Sequence, residues 1–230
     1  MKKSILLIAI LFGIAGISRA QTPLDNYSAD TKLGAVFTGG AAFSAGTAAQ
    51  GAKTSGGFSY SAGADADFPF SRTAALNVAL VYDVRQFSFN PQNGEDFNYT
   101  YRLGYLSIRP SFRYSYFTLG AGIGFPATSA TTISYNAGGI SAVGSSGTNL
   151  AQSDINLLLE IRLGSCIPLI ESKTGQLDLT GEVSYAFTNI ISDGPMAYAA
   201  PSQNPSNTSN NGPLASVEIG LKYLFDLSSH

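Results

Sequence analysis

Two carboxylates two residues apart, Asp65 and Asp67, are the nearest this chain comes to an acid–base pair. At that spacing on a strand they share one face. They could share a proton as a dyad, or each could stay ionised beside an arginine; the second reading is favoured, because arginines recur on the same face of other segments. Acyl transfer needs a nucleophile with a base within hydrogen-bond reach. The chain has one histidine, His230, its last residue, so an acyl-transfer enzyme is not expected. The single cysteine, Cys166, allows no intrachain disulfide framework, and with one terminal histidine it offers no metal-ligand set. It reads as a small apolar filler. "GAGIGF", Gly120–Phe125, echoes a dinucleotide fingerprint but lies inside an alternating strand and opens no helix. No catalytic residue, metal or cofactor is expected.

The elements that carry these groups follow from the ends and the composition. "MKKSILLIAILFGIAGISRAQ" has a basic start, an apolar stretch from Ile5 to Ile17 and small residues Ser18 and Ala20. It reads as a secretory signal peptide over 1–20. Residues 21–31 are then a short periplasmic segment, and 32–230 a single domain. Lys2, Lys3 and Arg19 fall in the leader, so of 13 bases the exported chain keeps ten against 15 acids. That acidic balance gives no footprint for nucleic acid. Beyond the leader, no apolar run is long enough for a spanning helix. Aromatic residues make up 11% and charged residues only 12% of the chain, with 25 glycines, which favours a sandwich or barrel.

Period-two alternation predicts eight strands: Leu33–Phe43, Phe58–Phe68, Leu76–Val84, Tyr99–Tyr114, Tyr116–Ala127, Asn156–Leu169, Leu177–Ile191 and Ser216–Phe225. In the last, Val217, Ile219, Leu221, Tyr223 and Phe225 oppose Glu218, Gly220 and Lys222. The fourth changes phase, since Tyr99, Tyr101, Leu103 and Tyr105 share one parity and Leu106, Ile108, Pro110, Phe112 and Tyr114 the other. A β-bulge near Tyr105 would keep all of them on one face, and Pro110 suits an irregularity.

The minority faces of these strands collect Asp65, Asp67, Asp83, Glu160, Asp178, Glu182 and Glu218 against Arg85, Arg102, Arg109, Arg113, Arg162 and Lys222. The signs nearly balance, as they must if the charges are enclosed and pair. The majority faces are apolar and ring-bearing, with Phe43, Phe58, Phe68, Tyr82, Phe112, Phe117, Phe125, Tyr185, Tyr223 and Phe225 near segment ends, where interfacial girdles belong. Short and long connections alternate, and the long ones are rich in Ser, Asn, Gly and Thr ("NAGGISAVGSSGTN", "PSQNPSNTSNNGP"). The expected fold is therefore all-β, an eight-stranded antiparallel up-and-down transmembrane barrel, with a lumen too narrow to stand open. Arg102, Arg109, Arg113 and Arg162 are expected to pair inside it with Glu160, Glu182, Glu218 and Asp83. Gly120, Gly122 and Gly124 would leave room there for bulkier groups.

"YLSIRPSFRY" followed by "SYFTLGAGIGF", Tyr105–Phe125, and the terminal "VEIGLKYLF" resemble the bacterial outer-membrane β-barrel family of the OmpA/OmpX type. They resemble more closely the outer-membrane-protein β-barrel-domain proteins of Bacteroidetes. The resemblance implies an outer-membrane location, lipid as the surrounding partner, and the barrel-assembly machinery as a partner during biogenesis; it implies no particular activity. The expected role is structural, adhesive or surface-binding. The alternatives are a minor pore, an accessory component of a secretion or assembly machine, and a soluble lipocalin-like binder of an apolar ligand.

Overall fold

The computed structural model describes residues 31–44, 53–71, 73–90, 97–137, 140–145, 155–172, 175–188 and 214–227. The segment 1–20, expected as a leader, nearly all of 21–31 and His230 lie outside the described residues. The elements are β1 (Lys32–Ser44), β2 (Lys53–Pro69), β3 (Ala74–Asn90), β4 (Phe97–Tyr114), β5 (Phe117–Ala137), β6 (Ile140–Ser145), β7 (Leu158–Ser172), β8 (Gly175–Ala186) and β9 (Leu214–Asp226). Every pairing is antiparallel. The order runs β4-β3-β2-β1-β9-β8-β7-β5, and a further β4–β5 ladder closes the ring. Eight strands thus form a closed barrel, which leaves no unpaired edge in the wall. The first strand meets the last, with Lys32 opposite Asp226 and Leu33 opposite Phe225.

Nine strands rather than eight arise because the segment from Thr128 to Ile155, expected as an exposed loop, contains the upper part of β5 and all of β6. β6 pairs only with Thr132–Ala137 of β5, outside the ring. The wall is also uneven: β2 to β5 have 17, 17, 18 and 21 residues, whereas β1, β8 and β9 have 13, 12 and 13. A tilted strand crosses a bilayer in about 9–11 residues, so the surplus extends one side of the barrel beyond the other.

The end at which β2 ends and β3 begins, β4 meets β5, and β7 ends and β8 begins is here the turn end; the opposite is the loop end. Two turns at the turn end are tied together. Ser71 Oγ accepts from the backbone N–H of Ala74 at 2.9 Å. The N–H of Ser115, a non-glycine residue at φ 55°, donates to Thr73 O at 2.6 Å. The positive φ at Ser115 fits the first central position of the tight two-residue β4–β5 hairpin, which the favoured hairpin turns place above zero.

A register shift falls where it was expected, beside Tyr105, but the extra residue is not on β4 and does not cause the strand's phase change. The β3–β4 register runs unbroken from Ala74↔Tyr114 to Phe89↔Tyr99. The shift lies between β4 and β5: Gly104 faces Thr128 and Tyr105 faces Pro126, so the extra residue is Ala127 on β5. Without a bulge of its own β4 keeps one parity, and Tyr101, Leu103 and Tyr105 project inward, all at most 2% exposed. Pro110, which has no N–H to give, interrupts the ladder to β5 without moving the register.

Candidate functional site

Burial is inverted relative to a water-soluble protein. Leu33, Phe37, Leu80, Ile108, Phe117, Leu163, Ile219 and Leu221 are among the large apolar side chains exposed on the outside, while Asp67, Asp83, Arg85 and Asp178 are completely buried. The predicted aromatics Phe58, Phe68, Tyr82, Phe112, Phe117, Phe125, Tyr185, Tyr223 and Phe225 are exposed on the outer wall, and Phe43 is half-buried there. Some pack in pairs, Tyr223 edge-on to Phe225 at 4.7 Å between centroids and Phe70 stacked on Phe112 at 5.9 Å.

The lumen is filled in three levels. At the turn end Lys32 Nζ donates to Gln176 Oε1 at 2.9 Å and lies 3.5 Å from Asp226. Gln176 Nε2 donates to Asp178 Oδ1 at 2.6 Å, and the Cys166 thiol donates to Asp178 Oδ2 at 3.2 Å. Cys166 is therefore a polar donor to a buried carboxylate, not the apolar filler expected. Asp67 pairs with Arg113 at 2.8 Å, and Asp65 with Lys222 at 3.5 Å and with Asn77. Asp65 and Asp67 thus each have their own cation and do not form a dyad.

The middle level is a continuous network. Arg85 bridges Asp83 at 2.9 Å and Glu160 at 2.8 Å. Arg109 reaches Asp83 at 2.7 Å and donates to Ser61 Oγ at 3.0 Å. Arg162 binds Glu160, and Glu182 at 2.6 Å. Glu160 is the hub, with three guanidinium groups around it. Glu182 and Glu218 are register partners on β8 and β9, a repulsive juxtaposition. They part in opposite directions: Glu182 takes Arg162, and Glu218 accepts from Thr38 Oγ1 at 2.6 Å. Neutral hydroxyls complete the level, with Ser184 between Arg85 and Ser216. Gly122 makes the hub possible, because a Cβ there would lie 2.6 Å from Glu160 Oε1. Between these two levels lies a cavity of about 60 Å³ whose lining mixes Asp65, Arg109, Arg113, Arg162, Glu182 and Lys222 with Val36, Ala79 and Val81, roomy enough for several waters held by the charged groups.

The third level, toward the loop end, is apolar. Phe87 stacks on Tyr101 at 5.4 Å, and Leu103, Tyr105, Leu158, Leu214, Ala42 and Ala186 are buried beside them. The sequence reading missed this plug because it assumed one lumen chemistry along the whole axis. The signal was the change of apolar parity in β4 itself, read as a bulge instead of as a change in what the interior holds.

Of the predicted network residues, Asp65, Asp67, Asp83, Arg85, Arg109, Arg113, Glu160, Arg162, Asp178, Glu182, Glu218 and Lys222 lie within the lumen. Arg102 does not. On the unbroken parity of β4 it falls on the outer wall with Leu106 and Ile108, exposed, where it donates to Tyr60 Oη at 2.7 Å. Among the described residues, no group of three or more His, Cys, Asp or Glu could hold a metal ion.

No family model matches the chain, and no curated protein matches it. Solved structures do resemble it. Ail, the attachment invasion locus protein of Yersinia pestis, solved with the heparin analogue sucrose octasulfate, is 10% identical over 86% of this chain and 100% of that one, with a TM-score of 0.36. The outer membrane protein AlkL, solved in DMPC bilayers, is 12% identical over 91% and 98%, at 0.36. The outer membrane protein OprG from Pseudomonas aeruginosa is 13% identical over 89% and 99%, at 0.32. At these scores neither a role nor a residue passes from them to this chain.

Proposed function

We propose that this chain is an integral outer-membrane barrel with a closed lumen, and that it acts through its exterior as a structural or surface-binding element instead of passing solutes. The observation that carries the reading is the inverted burial: ionised groups meet one another around the axis, and an almost uncharged, ring-bearing wall faces outward. In water such a wall would cost about 25 cal/mol for every Å² of apolar surface left exposed; in hydrocarbon it costs nothing. The closed ring leaves no edge, as a spanning structure requires.

A soluble carrier of an apolar ligand fits poorly, because the cavity between the charged levels is lined by arginines and carboxylates. A minor pore would have to pass both the ion network and the plug. The narrower resemblance, to the Bacteroidetes-type barrel domain, rests on the quoted motifs of β4, β5 and β9, and passage through the barrel-assembly machinery on the aromatic end of β9. The leader 1–20 supports export.

Heat-modifiable gel mobility combined with membrane fractionation tests the reading. The barrel should run faster unboiled than boiled and leave the envelope only with detergent. Release into the aqueous fraction without detergent would overturn it. Steady large currents in planar bilayers would overturn the closed lumen while leaving the membrane assignment standing.

A further inference from the structure

Arg102 is out of place for a lumen cation and well placed for something else. Among the described side chains, the exposed ionised groups outside the lumen are Glu171 at the turn end and Arg102 toward the loop end. On the outer wall of β4, Tyr114, Phe112, Pro110, Ile108 and Leu106 cover the roughly 9–11 residues that a tilted strand needs to cross a bilayer. Arg102 comes just past them. Polar pairs mark the same boundary on neighbouring strands: Tyr82 Oη lies 2.6 Å from Thr128 Oγ1, and Ser88 Oγ 2.9 Å from Thr100 Oγ1. Below the boundary Leu80, Leu106 and Phe125 are exposed and apolar.

The guanidinium is also oriented. It reaches across β3 to Tyr60 on β2, with its central carbon 5.8 Å from the ring centroid and one N–H on the hydroxyl. Val84, between them on β3, is 3% exposed although it belongs to the outer face. The Tyr60 contact uses one of the five donors of a planar fork that suits a phosphate. A cation held by an aromatic ring at the edge of an apolar wall is complementary to a lipid with an anionic headgroup.

We propose that Arg102, oriented by Tyr60, docks the phosphate of an anionic lipid whose acyl chains lie along Leu80, Leu106 and Phe125. The proposal rests on the membrane reading above. The test uses the full chain folded into phosphatidylcholine vesicles carrying trace spin-labelled phosphatidic acid or spin-labelled phosphatidylcholine, with the motionally restricted fraction read by electron spin resonance. One basic residue at a membrane surface contributes about 1 kcal/mol toward an anionic lipid, so the acid label should be enriched about fivefold over the neutral one at this contact. Arg102→Gln should abolish the enrichment, and Arg102→Lys, which keeps the charge but loses the fork, should retain part of it.

Enrichment that survives in Arg102→Gln, or is missing in the wild-type chain, would overturn the docking and leave Arg102 as a clamp over Val84. Loss of enrichment on adding inorganic phosphate would assign the site to a free anion and overturn the lipid. If Arg102→Gln does not fold, wild-type enrichment that fails to decline as salt screens the contact would overturn it instead. A wild-type chain that never enters the vesicles sinks the membrane reading; one that enters with heat-modifiable mobility but shows no selectivity sinks only the docking.

Discussion

The two halves of the lumen close the same narrow tube by opposite means. Toward the loop end Phe87, Tyr101, Leu103, Tyr105 and Leu158 fill it with carbon. In the middle Arg85, Arg109, Arg162, Asp83, Glu160 and Glu182 fill it with charge. A dry plug needs only shape; each residue contributes through its own contacts, and losing one leaves a hole. A charge network needs every partner, because an ion pair buried with its partner removed is a charge with nowhere to go. The halves should therefore fail differently when cut, and the largest difference lies at the hub.

Glu160→Ala leaves Arg85, Arg109 and Arg162 facing a vacated centre. Removing one partner of a buried ion pair costs about 3–5 kcal/mol, and the urea midpoint of the folded barrel, followed by gel mobility, should fall by the most of any single change in the lumen. A midpoint within error of the wild type would mean that the network is solvated and not enclosed.

In the plug the comparable cut is Leu103→Ala, which costs about 2–5 kcal/mol for a buried leucine in a rigid site. The two regions are seals in series, so conductance sharpens the contrast more than stability does. Glu160→Ala and Leu103→Ala should each stay silent in planar bilayers, because the other levels of the lumen remain filled. A single variant that conducts would show that the other region is no seal.

How much of this was legible beforehand divides along the same line. The outer face was readable because lipid asks one thing of every outward residue, and period two reports it directly in β7, β8 and β9. Thirteen residues were expected in the lumen on parity alone, and the one that lies outside, Arg102, sits on β4, where parity was reinterpreted. The strand carried a true period, but its apolar residues pass from the outer face to the inner one at Tyr105, where the filling changes from charge to rings. Composition on one strand cannot distinguish a bulge from that change of interior; the register of β3 against β4 can, and it is non-local. The neutral members of the network, Thr38, Ser61, Ser184 and Ser216, were invisible for a related reason: a serine on a strand says nothing about whether a guanidinium lies across the axis from it. β6 was hidden among small residues that look like loop.

Gly122→Ala probes the same hub from the neighbouring strand β5, where Gly122 is the register partner of Glu160, with a smaller perturbation. The new methyl would meet Glu160 Oε1 and Cγ at 2.6 and 2.7 Å, so the carboxylate must withdraw from at least one arginine. Overpacking of this kind costs about 1–3 kcal/mol, and the urea midpoint should move less than in Glu160→Ala. An unchanged midpoint would indicate that the hub has slack that the plug lacks.

The gentlest cut distinguishes a polar role for Cys166 from a packing one. Its Sγ lies 3.2 Å from Asp178 Oδ2, and Gln176 holds the other oxygen at 2.6 Å. Cys166→Ser keeps a donor in nearly the same place, so it should move the urea midpoint little. Cys166→Val keeps the volume and removes the donor, leaving a buried carboxylate oxygen without that bond, for which the cost is about 1–3 kcal/mol. The order serine above valine is what a network predicts, since each member is judged by the hydrogen bonds it completes. The reverse order, with valine tolerated better than serine, is what a plug predicts, since there only volume and dryness count; it would move Cys166 and its level of the lumen from the charged region into the apolar one.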